Sequence, residues 1–190
     1  MMEITIFGKG NMGKAIGGNF EKAGNRVTYG GRDFKGSLGD VVVLAVPYSA
    51  VDSILAAHKD ELAGKVLVDI TNPVNFDTFD GLVVPADSSA AAEIQKKVPE
   101  ALVVKAFNTT FAGVLAAGKV GDKEPAVVLA ASDSEEAKKT LAEALEGSGL
   151  SVVDAGSLKR TREMEALGFL QISLAAREKI SWTGGFAVIH

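Results

Sequence analysis

Gly8, Gly10 and Gly13 stand in the segment Gly8-Lys9-Gly10-Asn11-Met12-Gly13, directly after the β-prone run Ile4-Thr5-Ile6-Phe7. Three residues without a Cβ at this spacing suit one task well. The first permits a tight turn out of a strand. The second lets the backbone approach an anion with no side chain between, and the third lets the following helix pack close to the strand. The free N–H groups of residues such as Asn11 and Met12, together with the helix dipole, can then hold phosphate. The glycine pattern alone is weak. Here a strand precedes it, a helix follows it, and Arg26-Val27-Thr28-Tyr29 reads as a second strand. In that context it signals a dinucleotide pyrophosphate. The alternative is a glycine-rich turn that merely joins a strand to a helix.

The end of the second strand separates the two common dinucleotides. A site for NAD usually carries Asp or Glu there to grip the ribose 2′-OH. In this chain Gly30-Gly31-Arg32 occupies the place and Lys35 lies close behind. An arginine here suits the 2′-phosphate of NADP, because its planar fork matches phosphate oxygens. Asp33 competes, since it can pair with Arg32 or stand in for the acid, and Arg32 and Lys35 could be ordinary solvated charges. The residues favour NADP.

Other chemistries are narrowed by composition. The chain has 190 residues and no cysteine, so disulfides, thiolate metal sites and a cysteine nucleophile are excluded. Only His58 and His190 are present, which excludes a multi-histidine metal centre. His58, beside Lys59 and Asp60, reads as a surface residue, and Asp69 as the cap of a strand end or of the Thr71 turn rather than a general base. No metal ligands are expected. The net charge of -4 argues against a nucleic-acid partner. The opening Met1-Met2-Glu3-Ile4 carries no signal-peptide pattern, and no apolar run approaches the ~20 residues of a membrane span. The expectation is a cytoplasmic protein with no membrane partner.

The elements that would position these residues alternate between strand and helix. Asp40 to Val46 is a strand apolar on both faces, as in the middle of a covered parallel sheet. Pro47 stops it, and Ser49 can cap a helix through about Leu62. Lys65 to Asp69, Ala101 to Phe107, Pro125 to Ala131 and Leu150 to Asp154 are further strands. Ser88 to Val98 and Glu135 to Glu146 are further helices, with Asp133 and Ser134 as caps for the second. Leu158 to about Ile180 reads as one long helix with Met164, Leu167, Leu170, Leu174 and Ile180 on one side. The pattern is a Rossmann-type, doubly wound, mostly parallel α/β fold. The expected organisation is a dinucleotide-binding domain over residues 1–155. A C-terminal helix and tail over 156–190 would pack on that domain or on the partner of a homodimer. The loop from Asn72 to Pro85 lies where such sheets build their sites.

Five segments, in order, carry a resemblance. They are the glycine loop, Leu44-Ala45-Val46-Pro47, Thr71-Asn72-Pro73-Val74, Lys105-Ala106-Phe107-Asn108-Thr109 and Asp154-Ala155-Gly156-Ser157-Leu158. Together they resemble the NADPH-dependent deazaflavin-coenzyme reductases and their stand-alone dinucleotide-binding relatives; a similar domain forms the reductase part of some membrane ferric reductases. The resemblance implies that Gly8, Lys9, Gly10, Asn11 and Met12 touch the pyrophosphate and that Gly31 and Arg32 hold the 2′-phosphate. It implies that Ala45, Val46 and Pro47 line the adenosine and ribose path, with Thr71 and Asn72 near the nicotinamide ribose. Ala112 would lie near the nicotinamide. Asn108 stands where some deazaflavin reductases carry a histidine beside the second coenzyme, and with Thr109 it could hydrogen-bond the nicotinamide amide or the substrate.

The chain also departs from those relatives. Only Phe34 to Gly39 separate the second strand from the strand beginning at Asp40, where relatives place a helix and usually a further strand. A parallel crossover needs about a dozen residues or more. The second crossover is therefore trimmed, and the Arg26 strand should form a sheet edge. Hydride transfer asks little acid–base help from a protein, so no indispensable catalytic side chain is expected. The leading expectation is an NADP(H)-dependent oxidoreductase with a small or flavin- or deazaflavin-like hydride acceptor or donor. A non-catalytic dinucleotide-binding or redox-sensing module is the alternative. An imine or short-chain keto reductase shares the opening loop, but usually carries a larger helical domain or a Tyr-Lys pair on one helix, which Tyr29 and Tyr48 do not provide.

Overall fold

The computed structural model describes residues 1–31 and 33–189; Arg32 and His190 lie outside the described residues. Nine strands and six helices follow one another as β1 (Glu3–Phe7), α1 (Asn11–Lys22), β2 (Arg26–Gly30), β3 (Val41–Leu44), α2 (Tyr48–His58), β4 (Val66–Asp69), α3 (Ala90–Lys97), β5 (Leu102–Ala106), α4 (Ala112–Ala117), β6 (Lys119–Val120), β7 (Glu124–Pro125), β8 (Val127–Ala131), α5 (Glu135–Leu145), β9 (Ser151–Gly156) and α6 (Thr161–Ala176). Seven strands form one sheet in the order β2-β1-β3-β4-β5-β8-β9, and β6 and β7 form a separate hairpin. Every neighbouring pair in the large sheet is parallel except β5 and β8. The strands β3 and β4 are buried throughout, as a sheet covered on both faces requires. Ile16, Phe20, Val114, Leu115 and Leu141 fill one face, and Val51, Leu55, Leu62 and Ile94 fill the other.

The trimmed crossover has the consequence its length dictates. Among the described residues no helix or strand stands between β2 and β3, and β2 is the edge strand beside β1. Phe34 and Leu38 from that loop cover part of the face a crossover helix would occupy. Phe34 meets Phe7 edge-on with ring centroids 5.7 Å apart, and Leu38 is buried. His58 completes the patch, its ring 5.1 Å from Phe7 and 6.1 Å from Phe34. This corrects the expectation of a surface histidine: His58 is only 7 % exposed. With no helix after β2, the end of α2 turns this ring onto Phe7.

Other differences are local. Pro47, not Ser49, sits at the cap position of α2, and no side chain caps it. The segment expected as one strand from Pro125 divides, because β7 pairs with β6 before β8 joins the sheet. The C-terminal helix begins with a tight turn at Leu158–Arg160 and ends at Ala176. Its inward face is made of Thr161, Met164, Glu165, Gly168, Gln171 and Ala175, whereas Leu170 is 51 % exposed. A small and polar side of this helix packs inward together with Met164, while Leu167, Leu174 and the later Ile180 are half-buried.

Gly8 is where backbone geometry is most constrained. Its φ is +114°, and a Cβ there would lie 2.0 Å from the Ala45 carbonyl oxygen. Gly13 is similarly closed in, by the Gly8 carbonyl at 2.2 Å. Replacing Gly8 with alanine is expected to lower Tm by roughly 5 °C or more, from strain together with the clash. Gly24→Ala carries a φ of +84° but meets open space, so thermal unfolding of the two variants separates the two contributions. Equal losses would contradict the clash.

Candidate functional site

The carboxyl ends of β1, β3, β4 and β5 converge on the glycine turn. Gly10 precedes the first residue of α1 with extended backbone and no side-chain cap. Nothing lies within 4 Å of the place its Cβ would take. The first turn of any helix leaves N–H groups without intrahelical partners, and here Asn11 and Met12 contribute them. Two cavities lie along this turn. The outer one, of about 640 Å³, is bordered by Gly8, Lys9, Gly30 and Gly31, with Ser49, Ser53 and His58 on α2 opposite. The inner one, of about 540 Å³, runs from Asn11 and Met12 past Thr71, Asn72 and Asn108 to Ala112 and Trp182. Val46 borders both.

Most residues singled out from the sequence are thereby brought together. Gly8, Lys9 and Gly31 border the outer cavity, and Val46 is shared. Asn11, Met12, Pro47, Thr71, Asn72, Asn108 and Ala112 border the inner one. Ala45 stands behind the glycine turn, its Cβ 3.4 Å from the place a Gly8 Cβ would take. Thr109 lies away from both linings, its carbonyl accepting from Gln171 Nε2 at 3.1 Å. Arg32 is outside the described residues. Sequence reasoning missed the aromatic wall of the inner cavity, made by Tyr48, Phe76, Phe111 and Trp182. The run of aromatics after α6 was the available signal.

The floor of the inner cavity is a hydrogen-bonded lattice. Asn108 Nδ2 donates to Asn72 Oδ1 at 2.9 Å and to the Met164 carbonyl at 2.9 Å, and Asn72 Nδ2 donates to the Asn108 carbonyl at 2.8 Å. The Met164 contact fixes the amide orientation, because a carbonyl can only accept. Asn108 Oδ1 is then left buried without a partner among the described residues, as is Thr71 Oγ1. Such atoms are uncommon. Phe107 adopts a left-handed φ of 64° at the end of β5, which turns the chain so that Asn108 enters the lattice. Gly168 lets α6 come close: a Cβ there would lie 2.3 Å from Asn72 Oδ1 and 2.9 Å from the Asn108 carbonyl.

Beneath the lattice lies a group of charges whose connection the sequence did not reveal. Asp69, Lys105 and Glu165 are each fully buried. Lys105 Nζ lies 2.7 Å from Asp69 Oδ2 and 2.7 Å from Glu165 Oε1, and it also donates to the Thr71 carbonyl. Its three N–H donors match these three acceptors. Asp69 Oδ1 accepts from the Thr71 amide at 2.9 Å, as the turn-capping reading expected. Glu165 also accepts from the Ala90 and Ala91 amides at the start of α3. Burial pushes the Glu165 carboxyl up from its ordinary value, against the pull of Lys105, and Asp69 adds to the rise.

The family model described as "NADP oxidoreductase coenzyme F420-dependent" matches residues 35–73, which include the Val46-Pro47 and Thr71-Asn72 segments. An F420-dependent NADP reductase of Methanocaldococcus jannaschii is 33% identical over 150 residues, covering 77% of this chain and 66% of the relative. The chain is similar to the coenzyme F420-dependent NADP oxidoreductases. A candidate F420-dependent NADP reductase from Arthrobacter sp. FB24 superposes over 100% of both chains, with a TM-score of 0.84 and 26% identity. The metalloreductase STEAP3 of Rattus norvegicus is 30% identical over 184 residues, covering 87% of this chain and 36% of the relative. The chain thus spans just under two thirds of one of these curated relatives and about a third of the other. No helix among the described residues is long and apolar enough to cross a membrane.

The buried charges generate a pH-dependent expectation. The raised carboxyl of Glu165 binds its proton more tightly in the folded chain than in the unfolded one. Its contribution to stability therefore falls as pH rises from the unfolded value through the folded one. Glu165→Gln lacks that fall, so its Tm relative to the parent should improve between pH 5 and pH 8. A difference independent of pH would refute the assignment. Lys105→Met leaves two carboxylates uncompensated and should cost about 3–5 kcal/mol in denaturant unfolding.

Proposed function

We propose that the protein is an NADP(H)-dependent oxidoreductase, with the dinucleotide lying across the glycine turn and a small or flavin-like acceptor in the remaining part of the inner cavity. The observation that carries this reading is the pair of buried oxygens, Thr71 Oγ1 and Asn108 Oδ1, left without partners beside the free amino end of α1. A carboxamide offers N–H donors for such acceptors, so the residues present fit a nicotinamide. Gly10 gives the second test of fit, because the space its missing Cβ leaves is open. The names of the relatives, NADP reductases among them, support the same reading.

In this arrangement the backbone N–H groups of Asn11 and Met12, with Lys9, hold the pyrophosphate. Gly30 and Gly31 leave the adenosine end open toward the 2′-phosphate, where the sequence supplies Arg32. Thr71, Asn72 and Asn108 orient the nicotinamide, and Val46 and Pro47 form the wall between the two halves. NADPH, when bound, supplies a hydride to the acceptor. The protein's own part is to bind, orient and exclude water. The rigid lattice beneath Asn108 suits that part, since orientation of the reacting groups is where much of the rate is gained.

Isothermal titration of NADPH and NADH against the parent, Arg32→Ala and Gly10→Ala tests the reading. NADPH should bind about tenfold or more tightly than NADH, a difference of about 1.4 kcal/mol. Arg32→Ala should close most of that gap. Gly10→Ala should weaken both dinucleotides while shifting Tm by less than about 3 °C. Equal affinity of NADPH and NADH for the parent would overturn the choice of NADP. Tight binding without NADPH oxidation across flavins, deazaflavins and quinones would favour a sensing module.

A further inference from the structure

His58 stands in the outer cavity because the connection after β2 is short. It lies on the last turn of α2 and borders the cavity opposite Gly30 and Gly31. Where a longer connection would place a helix, the His58 ring instead meets Phe7 and Phe34, with centroids 5.1 and 6.1 Å away. Packed against two rings, the buried imidazole has little freedom to turn.

Its hydrogen bonding distinguishes the two ring nitrogens. Nδ1 lies 3.1 Å from Glu61 Oε1. The turn after α2, in which the Glu61 amide donates to the His58 carbonyl at 3.0 Å, sets that carboxylate beside the ring. A carboxylate only accepts, so Nδ1 carries the hydrogen, and in a neutral imidazole Nε2 is then an acceptor. Nε2 has no partner among the described residues. The side-chain atoms sealed from solvent without a partner there are Thr71 Oγ1 and Asn108 Oδ1, so Nε2 is open to the cavity that its ring borders. Ser53, also on the border, has the same character. Its hydroxyl donates to the Ala50 carbonyl at 2.9 Å, which leaves its oxygen free to accept. This wall of the cavity therefore offers acceptors and suits a ligand that brings N–H donors.

Lys9 and the amides of the glycine turn attract the anionic part of a dinucleotide. Along α2 the border is small or apolar at Ala50, Ile54 and Ala57, which suits the flat face of a base. Resting on the dinucleotide function proposed above, we infer that His58 is a specificity-determining residue: its Nε2 accepts from the 6-amino group of the adenine, so the outer cavity prefers an adenine dinucleotide to one with a 6-oxo purine. Glu61 is a positioning residue that acts through His58 by fixing the hydrogen on Nδ1. A 6-oxo group turns a lone pair toward Nε2, and a site built around such a hydrogen bond discriminates against the partner that lacks the donor.

Calorimetric titration at pH 8, where a free imidazole is neutral, compares NADPH with the reduced form of nicotinamide hypoxanthine dinucleotide phosphate, its 6-oxo analogue. The parent should bind NADPH about tenfold more tightly. His58→Phe keeps a ring against Phe7 and Phe34 and should bring the two ligands to equal affinity. Glu61→Gln should narrow the preference, because a carboxamide can donate to Nδ1 and let the imidazole hydrogen move to Nε2. This variant leaves the ring packing intact, so it decides the question even if His58→Phe fails to fold. Equal affinity of the parent for both ligands would overturn the inference, as would an undiminished preference in either variant. Loss of the preference for NADPH over NADH in His58→Phe, with base preference retained, would assign Nε2 to the 2′-phosphate instead. If the parent binds NADPH without preferring its base, the dinucleotide reading stands and only the role of His58 fails. Absence of NADPH binding would remove the function on which the inference rests.

Discussion

The ammonium of Lys105 holds the carboxyl end of the sheet together. It joins Asp69 at the end of β4 to Glu165 on α6 and takes the Thr71 carbonyl as its third acceptor. Glu165 in turn reaches the amides that begin α3. Four elements, β4, β5, α3 and α6, are thus tied together through Lys105 and Glu165. Desolvating three ionisable groups is expensive, so such a cluster is weak grounds for stability and better understood as a device that fixes one arrangement among several. The arrangement it fixes is unusual for an amphipathic helix. Glu165 must face the sheet, and Gly168 and Gln171, on the same side, follow it inward. Gly168 then admits the Asn72 and Asn108 lattice, which leaves Asn108 Oδ1 without a partner among the described residues.

The two halves of the cleft differ because different parts of the chain build them. The outer half is made by the glycine turn, the edge strand and the small residues along α2. Phe7 and His58 border it, and Phe34 packs against both in place of the helix that a longer connection would supply. The inner half depends on α6 and the tail after it. Gln171 links them, donating to the Thr109 carbonyl and accepting from Phe186. The outer and inner cavities therefore draw on largely separate stretches of sequence that meet at Val46.

Much of this was legible in the residues. The strand, glycine turn and helix at the start follow from Ile4 to Gly13, and the edge position of β2 follows from the shortness of Phe34 to Gly39. The apolar runs of β3 and β4 announced a covered sheet. The inner site was legible as a set of loop ends, Thr71-Asn72 and Asn108, because loops at the carboxyl ends of parallel strands build such sites. The Lys105 cluster was not legible. Its three members are 36 and 60 residues apart in a chain where each alone has an ordinary explanation, and only the folded sheet brings them together. The inward Glu165 of α6 was hidden for the same reason: periodicity marks the apolar side of a helix, and here a buried ion pair brings a charged residue onto the inward face beside Met164. His58 was misjudged because its neighbours Lys59 and Asp60 are polar, while the rings it meets come from β1 and the trimmed loop.

That trimmed loop has one more effect. By ending the sheet at β2, it leaves a row of backbone N–H and C=O groups facing outward, a place where another strand could attach. The chain limits the opportunity by keeping β2 to five residues and by closing its start with Arg26 against Glu3 at 3.3 Å. Gly30 at the other end offers no side chain for a guest strand to pack against. A margin this short can recruit little, so economy in one connection leaves this edge of the sheet a poor template.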